Sequence, residues 1–322
     1  MNLLSIFGLA ENGRGITIFG FEIYYYAMVI VAGMVLAAVL SALLMKRRNI
    51  SPDLVYLLFI VCIPSALLCA RLYYCITDGM PVSQWFAWES IRKGGLSILG
   101  GVMGGVLAGG IVAVVKKIDF LRVADCVVIN ILIAQAIGRW GNYFNQEVYG
   151  AEILDPGQQW FPWAVFIDGK WYQALFFYES FINTIGFLLL FSAAWFYTRK
   201  PNGIFTCLYF VWYGAVRAIM EPMRNPDYIL GSQNDVMWSQ ITSVILAAAG
   251  IAAIAVLLAV NFKKEGSLIG SKLGDPCGIT AYIPAYRDDV PYASSINLMG
   301  GRYPAAPEKD GAANRAEEEE RQ

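Results

Sequence analysis

The chain has 322 residues, 57% of them hydrophobic, and its 24 Lys and Arg against 25 Asp and Glu leave a formal net charge of −1. Only 15% of residues are charged, against about 25% in an ordinary soluble domain; with a mean hydropathy of +0.51, such a chain is neither disordered nor able to clothe a water-facing surface, and its solvent is lipid. There is no histidine, which removes the commonest general base near neutral pH and the commonest zinc ligand, and the balanced charge gives no reason to expect nucleic acid as a partner.

The N-terminal MNLLSIFGLAENG has no basic region ahead of its apolar patch and no small-residue cleavage site, so residues 1–20 read as an external lead-in rather than a cleaved signal peptide. Apolar runs long enough to cross a hydrocarbon core of about 30 Å then recur about seven times, over 21–45, 53–74, 96–115, 123–139, 174–197, 204–220 and 238–260. The expected fold is all-α: a polytopic membrane protein with about seven transmembrane helices over 21–264. A small external subdomain is expected at 149–171, whose GQQWFPWAVFIDGKW suits the aromatic-rich membrane interface.

Cys62, Cys69, Cys75, Cys126, Cys207 and Cys277 lie mostly inside the apolar runs without CxxC spacing and read as small hydrophobes. From Glu265 onward Gly, Pro, Ala and acidic residues dominate, ending in AANRAEEEERQ. Too little apolar surface remains there to offset chain entropy, so 265–322 is expected to be a disordered tail.

Loop cations set the expected orientation. Lys46, Arg47 and Arg48 follow the first run, Lys116, Lys117 and Arg122 the third, Arg199 and Lys200 the fifth, and Lys263 and Lys264 the seventh. Those alternate ends are expected to be cytoplasmic, with the N-terminus and the longer irregular loops outside and the C-terminus inside.

Burying an ionisable group at membrane depth costs about 2.5–3.5 kcal/mol even on a lenient insertion scale. Arg71, Asp125, Arg139, Glu147, Glu179, Arg217, Glu221 and Arg224 all fall inside or at the ends of the runs, too many to be incidental. In GRWGNYFNQEVYG (138–150), Arg139 and Asn142 share a helix face, Gly141 admits a close neighbour, and Asn145, Glu147 and Gly150 follow where the helix ends. An arginine beside two carboxamides suits a phosphate or carboxylate. A salt bridge between Arg139 and Glu147 that locks the helix end is the plainer alternative.

In YGAVRAIMEPMR, Arg217 and Glu221 pair at i,i+4 while Arg224, nearer the outer surface, is left available, and Pro222 bends or ends the helix. Two arginine sites on one membrane face would clamp a phospholipid headgroup, unless they are ion pairs between helices. In GGLSILGGVMGGVLAGG (94–110), overlapping GxxxG spacings favour close helix packing, though Gly100 and Gly101 would also admit a lipid to the backbone. Tyr24, Tyr25, Tyr26, Tyr73, Tyr74 and Tyr178 form an interfacial belt, of which one or two would reach a headgroup.

These residues resemble the signature of the bacterial prolipoprotein diacylglyceryl transferases, G-R-x-G-N-[aromatic]-x-N-x-E-x-x-G, at Gly138, Arg139, Gly141, Asn142, Tyr143, Asn145, Glu147 and Gly150. Further motifs keep the family's order: Tyr26 at the start of the first span, A-R-x-Y-Y at 70–74, G-G-x-S-x-x-G-G at 94–101, the pair Tyr178 and Glu179, and Y-G-x-x-R-x-x-x-E-x-x-R ending at Arg224. The resemblance covers about 21–260. It implies an enzyme of the bacterial cell membrane that moves the diacylglyceryl group of phosphatidylglycerol onto the lipobox cysteine of a preprolipoprotein and releases glycerol phosphate. No metal and no organic cofactor is implied. By the same resemblance Arg139 binds the lipid phosphate, Arg217 assists it or the attacking thiolate, Asn142 and Tyr26 position the headgroup, and Glu221 orients Arg217. Asn145, Gly150, Arg71, Arg224, Gly100 and Gly101 are the remaining substrate-binding candidates.

The chain departs from the family at two places. Many members carry a histidine, often proposed as the thiol's base, where this chain has Leu99, and a His-Pro where it has Gln173 and Ala174. Either another group is the base, or nearby cations drive thiolate formation, or the activity is lost. Two cations lower a thiol pKa by about one unit or more, which favours the second, with Tyr26 and Glu147 the next candidate bases. The rival readings are a non-catalytic lipid-binding relative and a small-anion transporter, although the two halves show none of the self-similarity of transporter repeats.

Overall fold

A backbone in lipid must satisfy its own N–H and C=O groups, and a helix does so within one segment, so long apolar runs become helices. The computed structural model describes residues 15–18, 21–92, 94–224, 232–233, 236–268, 270–271 and 273. Among them are seven helices long and apolar enough to cross a membrane, which makes the chain a multi-pass membrane protein. They are α1 (Tyr25–Arg47), α2 (Leu54–Thr77), α3 (Ile98–Lys116), α4 (Phe120–Asn145, with a 3-10 step at Val128–Asn130), α5 (Leu175–Phe196), α6 (Ile204–Met220) and α7 (Trp238–Glu265). Three antiparallel hairpins accompany them: β1 (Gly15–Ile18) with β2 (Phe21–Tyr24), β3 (Ala164–Ile167) with β4 (Lys170–Gln173), and β5 (Ser232–Gln233) with β6 (Val236–Met237).

Several boundaries differ from the sequence expectation, including the end of α7 at Glu265 instead of 260. Residues 21–24 pair with 15–18 as a hairpin before the first helix begins. The fourth span starts earlier and ends later than 123–139: the Asp119 carboxylate accepts the Leu121 N–H at 2.9 Å, and the helix then continues through the signature to Asn145.

Small residues let the helices close on one another where lipid offers no hydrophobic drive. A Cβ on Gly104 of α3 would lie 2.6 Å from the Ser65 carbonyl oxygen of α2, and one on Gly214 of α6 would lie 2.5 Å from that of Ser243 on α7. Gly33 of α1 meets the Ala134 carbonyl of α4 at 3.1 Å by the same measure. α4 is the axis of the bundle, with half of its apolar window buried against 11% for α7. Outward faces carry Val31, Val35, Ile60, Val106, Leu188 and Ile251, the apolar surface that lipid demands.

At one end of α4 a buried ionic knot joins three spans. Asp125 accepts the N–H groups of Gly203 and Thr206 at 2.8 Å each and the Thr206 hydroxyl at 2.9 Å, so it caps α6 from a neighbouring helix. Arg48 meets the same carboxylate at 3.4 Å and lies over the Phe205 ring, while Arg122 donates to the Arg48 carbonyl. Arg48 and Arg122 are therefore internal ties, not the free loop cations the sequence suggested. Lys46, Arg47, Lys117, Arg199, Lys200, Lys263 and Lys264 remain exposed at the same helix ends.

The segment at 149–171 borrows its core. Val165 and Ile167 of β3 pack with Tyr143, Ala174 and Phe176 from the ends of α4 and α5. At its rim Glu152 accepts from Lys170 at 3.0 Å and holds that ammonium above its usual range.

The first residues of the expected tail carry defined contacts. Glu265 accepts the N–H and hydroxyl of Ser271, Lys200 exchanges backbone bonds with Gly270 and Ser271, and buried Leu273 donates to the Thr198 carbonyl. Most of 1–20 and all of 274–322, including Cys277, lie outside the described residues.

Valine substitutions along α3 should separate packing glycines from open ones. Gly104→Val is expected to lower the unfolding temperature in detergent sharply, because its Cβ has no room against α2. Gly110→Val, with nothing within 4 Å of the added carbon, is expected to leave it nearly unchanged.

Candidate functional site

Near the ends of α4, α5 and α6 opposite the ionic knot, five buried or half-buried charges alternate in a chain. Arg139 of α4 binds Glu179 of α5 at 2.5 Å; Glu179 also binds Arg224 at 3.1 Å; Arg224 meets Glu221 at 3.4 Å; and Glu221 binds Arg217 of α6 at 3.0 Å. Three guanidinium groups thus share two carboxylates. The inner members are sealed, with side chains 5% exposed or less, whereas the terminal Arg139 and Arg217 are 22% and 13% exposed. Among the described residues each end arginine has one carboxylate to hold it, so surplus positive charge is offered at the two ends.

Local chemistry explains how each member arrives there. α6 tightens into a 3-10 turn at Glu221–Met223, because Pro222 has no N–H to continue the ladder. That turn buries Glu221 completely and swings Arg224 inward, where it forms a bridge with Gly150. Arg224, expected to be available near the surface, is consumed by two carboxylates. Arg139 pairs with Glu179, not with Glu147, whose carboxylate accepts from Asn145 at 3.2 Å.

Tyr26, half-buried at the start of α1, lays its ring on α4. A Cβ on Gly141 would lie 2.5 Å from the ring, so the signature glycine makes room for this tyrosine. Glu147 and Arg139 are the charged groups that act on its hydroxyl. Asn142 is buried one turn beyond Gly138, and its carbonyl accepts the Gln146 and Glu147 N–H groups as the helix stops. Gln146 and Val148 both hold φ near +55°, a conformation that costs a β-branched residue on the order of 1–3 kcal/mol and turns Glu147 back toward Asn145. Gly150 follows with no room for a side chain between Gln173 and the Met223 carbonyl, and its N–H donates to Gln173 at 3.1 Å.

Other sequence candidates stand apart. Arg71 donates to the carbonyls of Trp85, Gly94 and Gly95 and to the Ser90 hydroxyl at 2.6–3.0 Å, so its guanidinium holds the α2–α3 loop instead of standing open to a ligand. Gly100 is filled by α2 packing, while a Cβ on Gly101 would have 3.7 Å of clearance. Leu99, at the family's histidine position, is 62% exposed on the first turn of α3. Gln173, at the other departure, ties β4 to Gly150 and Ala151.

Sequence reasoning gave Glu179 no role, yet it is the carboxylate shared by Arg139 and Arg224. The usable signal was its depth: an acid one turn inside a span needs a cationic partner.

A sequence model of the family described as prolipoprotein diacylglyceryl transferase matches residues 15–256. The chain is similar to a Clostridium perfringens protein named phosphatidylglycerol–prolipoprotein diacylglyceryl transferase 1, at 31% identity over 79% of this chain and 97% of the relative. It is similar to phosphatidylglycerol–prolipoprotein diacylglyceryl transferases of Clostridioides difficile, at 35% identity over 74% and 92%, and of Streptococcus pneumoniae, at 37% over 71% and 87%.

Glu179→Gln should leave Arg139 and Arg224 facing each other without their shared anion. A loss of about 3 kcal/mol or more is expected from breaking a buried pair, read as a drop in thermal unfolding temperature in detergent. Glu147→Gln, which disturbs the bond from Asn145 and a half-buried charge near Tyr26, is expected to cost under about 1 kcal/mol.

Proposed function

Because the chain belongs to the prolipoprotein diacylglyceryl transferase family, we infer that it transfers the diacylglyceryl group of phosphatidylglycerol to a prolipoprotein, and we propose how its residues do so. The observation that carries the reading is the alternating charge chain with its two partly open arginines. A phosphodiester headgroup supplies the anion that this chain lacks, and family membership sets the anion-transporter reading aside.

On this reading Arg139 and Arg217 hold the phosphate, Glu179, Arg224 and Glu221 fix the spacing between them, and Tyr26 and Asn142 position the glycerol part. The acceptor is the thiol of the lipobox cysteine. The thiolate sulfur attacks the glycerol carbon that bears the phosphate ester; the S–C bond forms as the C–O bond breaks, and the electron pair leaves on the oxygen of glycerol phosphate. The thiol proton goes to water at the membrane face. Cations beside the sulfur lower its pKa, which meets the need that a histidine base serves elsewhere in the family. The exposed cations at the knot end support a cytoplasmic placement of that end, with the site on the outer face.

In vesicles of phosphatidylglycerol with a lipobox peptide, Arg139→Gln is expected to slow transfer about a hundredfold or more, the scale of losing a preorganised group on developing charge. Undiminished transfer would overturn the phosphate assignment. Arg217→Gln should shift the rising limb of the rate against pH upward by about one unit, because removing a cation raises the thiol pKa. An unshifted limb would show that Arg217 does not act on the thiol.

A further inference from the structure

Beneath the charge chain, toward the middle of the spans, lies a second polar layer that the phosphate reading does not use. Gln135 lies four residues from Arg139 along α4, Asn183 four from Glu179 along α5, and Trp212 five from Arg217 along α6, so each is about 6–8 Å deeper. The next turn inward is closed by Leu132, Phe187 and Tyr209, which pack together as an apolar floor. The Trp212 ring also packs against that floor, so charged ceiling, carboxamide level and apolar floor follow one another along the same three helices.

The niche is left unsatisfied. Gln135 Oε1, Asn183 Oδ1 and Trp212 Nε1 are all buried without a hydrogen-bond partner. Asn183 as a whole is only 4% exposed. Gln135 Nε2 donates to the Tyr209 hydroxyl at 3.1 Å, which fixes that carboxamide, and the Trp212 indole is seated against Gly186. Orphaned polar atoms are costly in hydrocarbon, and among the described residues two acceptors and one donor are orphaned on three adjacent helices.

That set selects its ligand. The ester groups of a diacylglyceryl moiety only accept hydrogen bonds, so they could answer Trp212 but neither carboxamide oxygen. A peptide main chain carries both N–H and C=O, and an extended segment in lipid has both unpaired. Reaction geometry points the same way: the sulfur must approach the carbon opposite the breaking C–O bond. With the phosphate on the arginines and reacting atoms about 3–3.5 Å apart, the sulfur falls roughly one helical turn below them.

We propose that Gln135, Asn183 and Trp212 form a docking niche for the main chain beside the acceptor cysteine, which aligns its sulfur for attack from the membrane-interior side. The proposal rests on the reading of Arg139 and Arg217 as the phosphate site.

The test uses the full-length protein in vesicles of phosphatidylglycerol and phosphatidylcholine, with a lipobox peptide and versions in which each amide flanking the cysteine is replaced in turn by an ester, which removes its N–H. At least one ester peptide is expected to show a KM about fivefold higher, the scale of one hydrogen bond. Asn183→Leu and Gln135→Leu should raise the KM of the all-amide peptide by a similar factor, leave the KM for phosphatidylglycerol unchanged, and erase the ester penalty in one of the two variants. Equal KM values for every amide and ester peptide on the unsubstituted protein overturn the proposal, a result independent of whether either variant folds. A rise in KM for phosphatidylglycerol assigns the niche to the lipid, and unchanged KM values in both variants assign it to resident water; either outcome overturns it. Undiminished transfer by Arg139→Gln is a separate failure, that of the phosphate reading, which the amide and ester comparison does not share.

Discussion

Guanidinium groups sunk in a helical bundle have to be matched by carboxylates or by carbonyl oxygens, since lipid supplies no counterion and burial of a lone charge is prohibitive. Among the described residues, the chain Arg139, Glu179, Arg224, Glu221, Arg217 is one carboxylate short of a match. The shortfall falls on the two ends because the middle arginine has a carboxylate on either side. Glu147 stands apart, engaged by Asn145. Such a chain is stable enough to persist without ligand, yet each end guanidinium can turn its free edge to an incoming anion. A fully matched set would be a structural lock, and a larger surplus would not stay folded.

The rest of the fold keeps that chain in register. Its members come from α4, α5 and the end of α6, and α4 is anchored at its opposite end by Asp125, fourteen residues from Arg139 and about 21 Å away along the axis. Because Asp125 also caps α6 through Gly203 and Thr206, the helix that carries Arg217 is set in height against the helix that carries Arg139. The 3-10 turn at Glu221 then decides that Arg224 points into the bundle. The β3–β4 hairpin joins through Gly150 to Arg224, so the segment at 149–171 braces the site instead of forming a separate body.

The spans were legible in the sequence because one property, sustained apolarity, determines them, and it is local. The ionic partners were not. Arg139 and Glu179 are forty residues apart, and the nearer Glu147 offers a reasonable partner until the turn at Gln146 and Val148 carries it away. Arg48 and Arg122 read as loop cations because sequence shows their position at helix ends and not the depth of the carboxylate between them. Arg71 read as a ligand site for the same reason: the loop carbonyls it serves are invisible until the loop folds. By contrast Gly141 was legible as a point of close approach, and only the identity of its neighbour, the Tyr26 ring, required the structure.

A histidine-free site is chemically coherent on the proposed reading. A free thiol has a pKa of about 8.5. A cation beside the sulfur lowers that value, and the single surplus guanidinium charge does so most strongly before the lipid phosphate fills the site. During displacement the negative charge migrates from sulfur to the leaving oxygen and stays within the field of the same two arginines, so the cations that prepare the nucleophile also receive the leaving group. A histidine at position 99 would add a proton acceptor to a proton that has already been lost to water, and an exposed leucine on α3 then costs the reaction little.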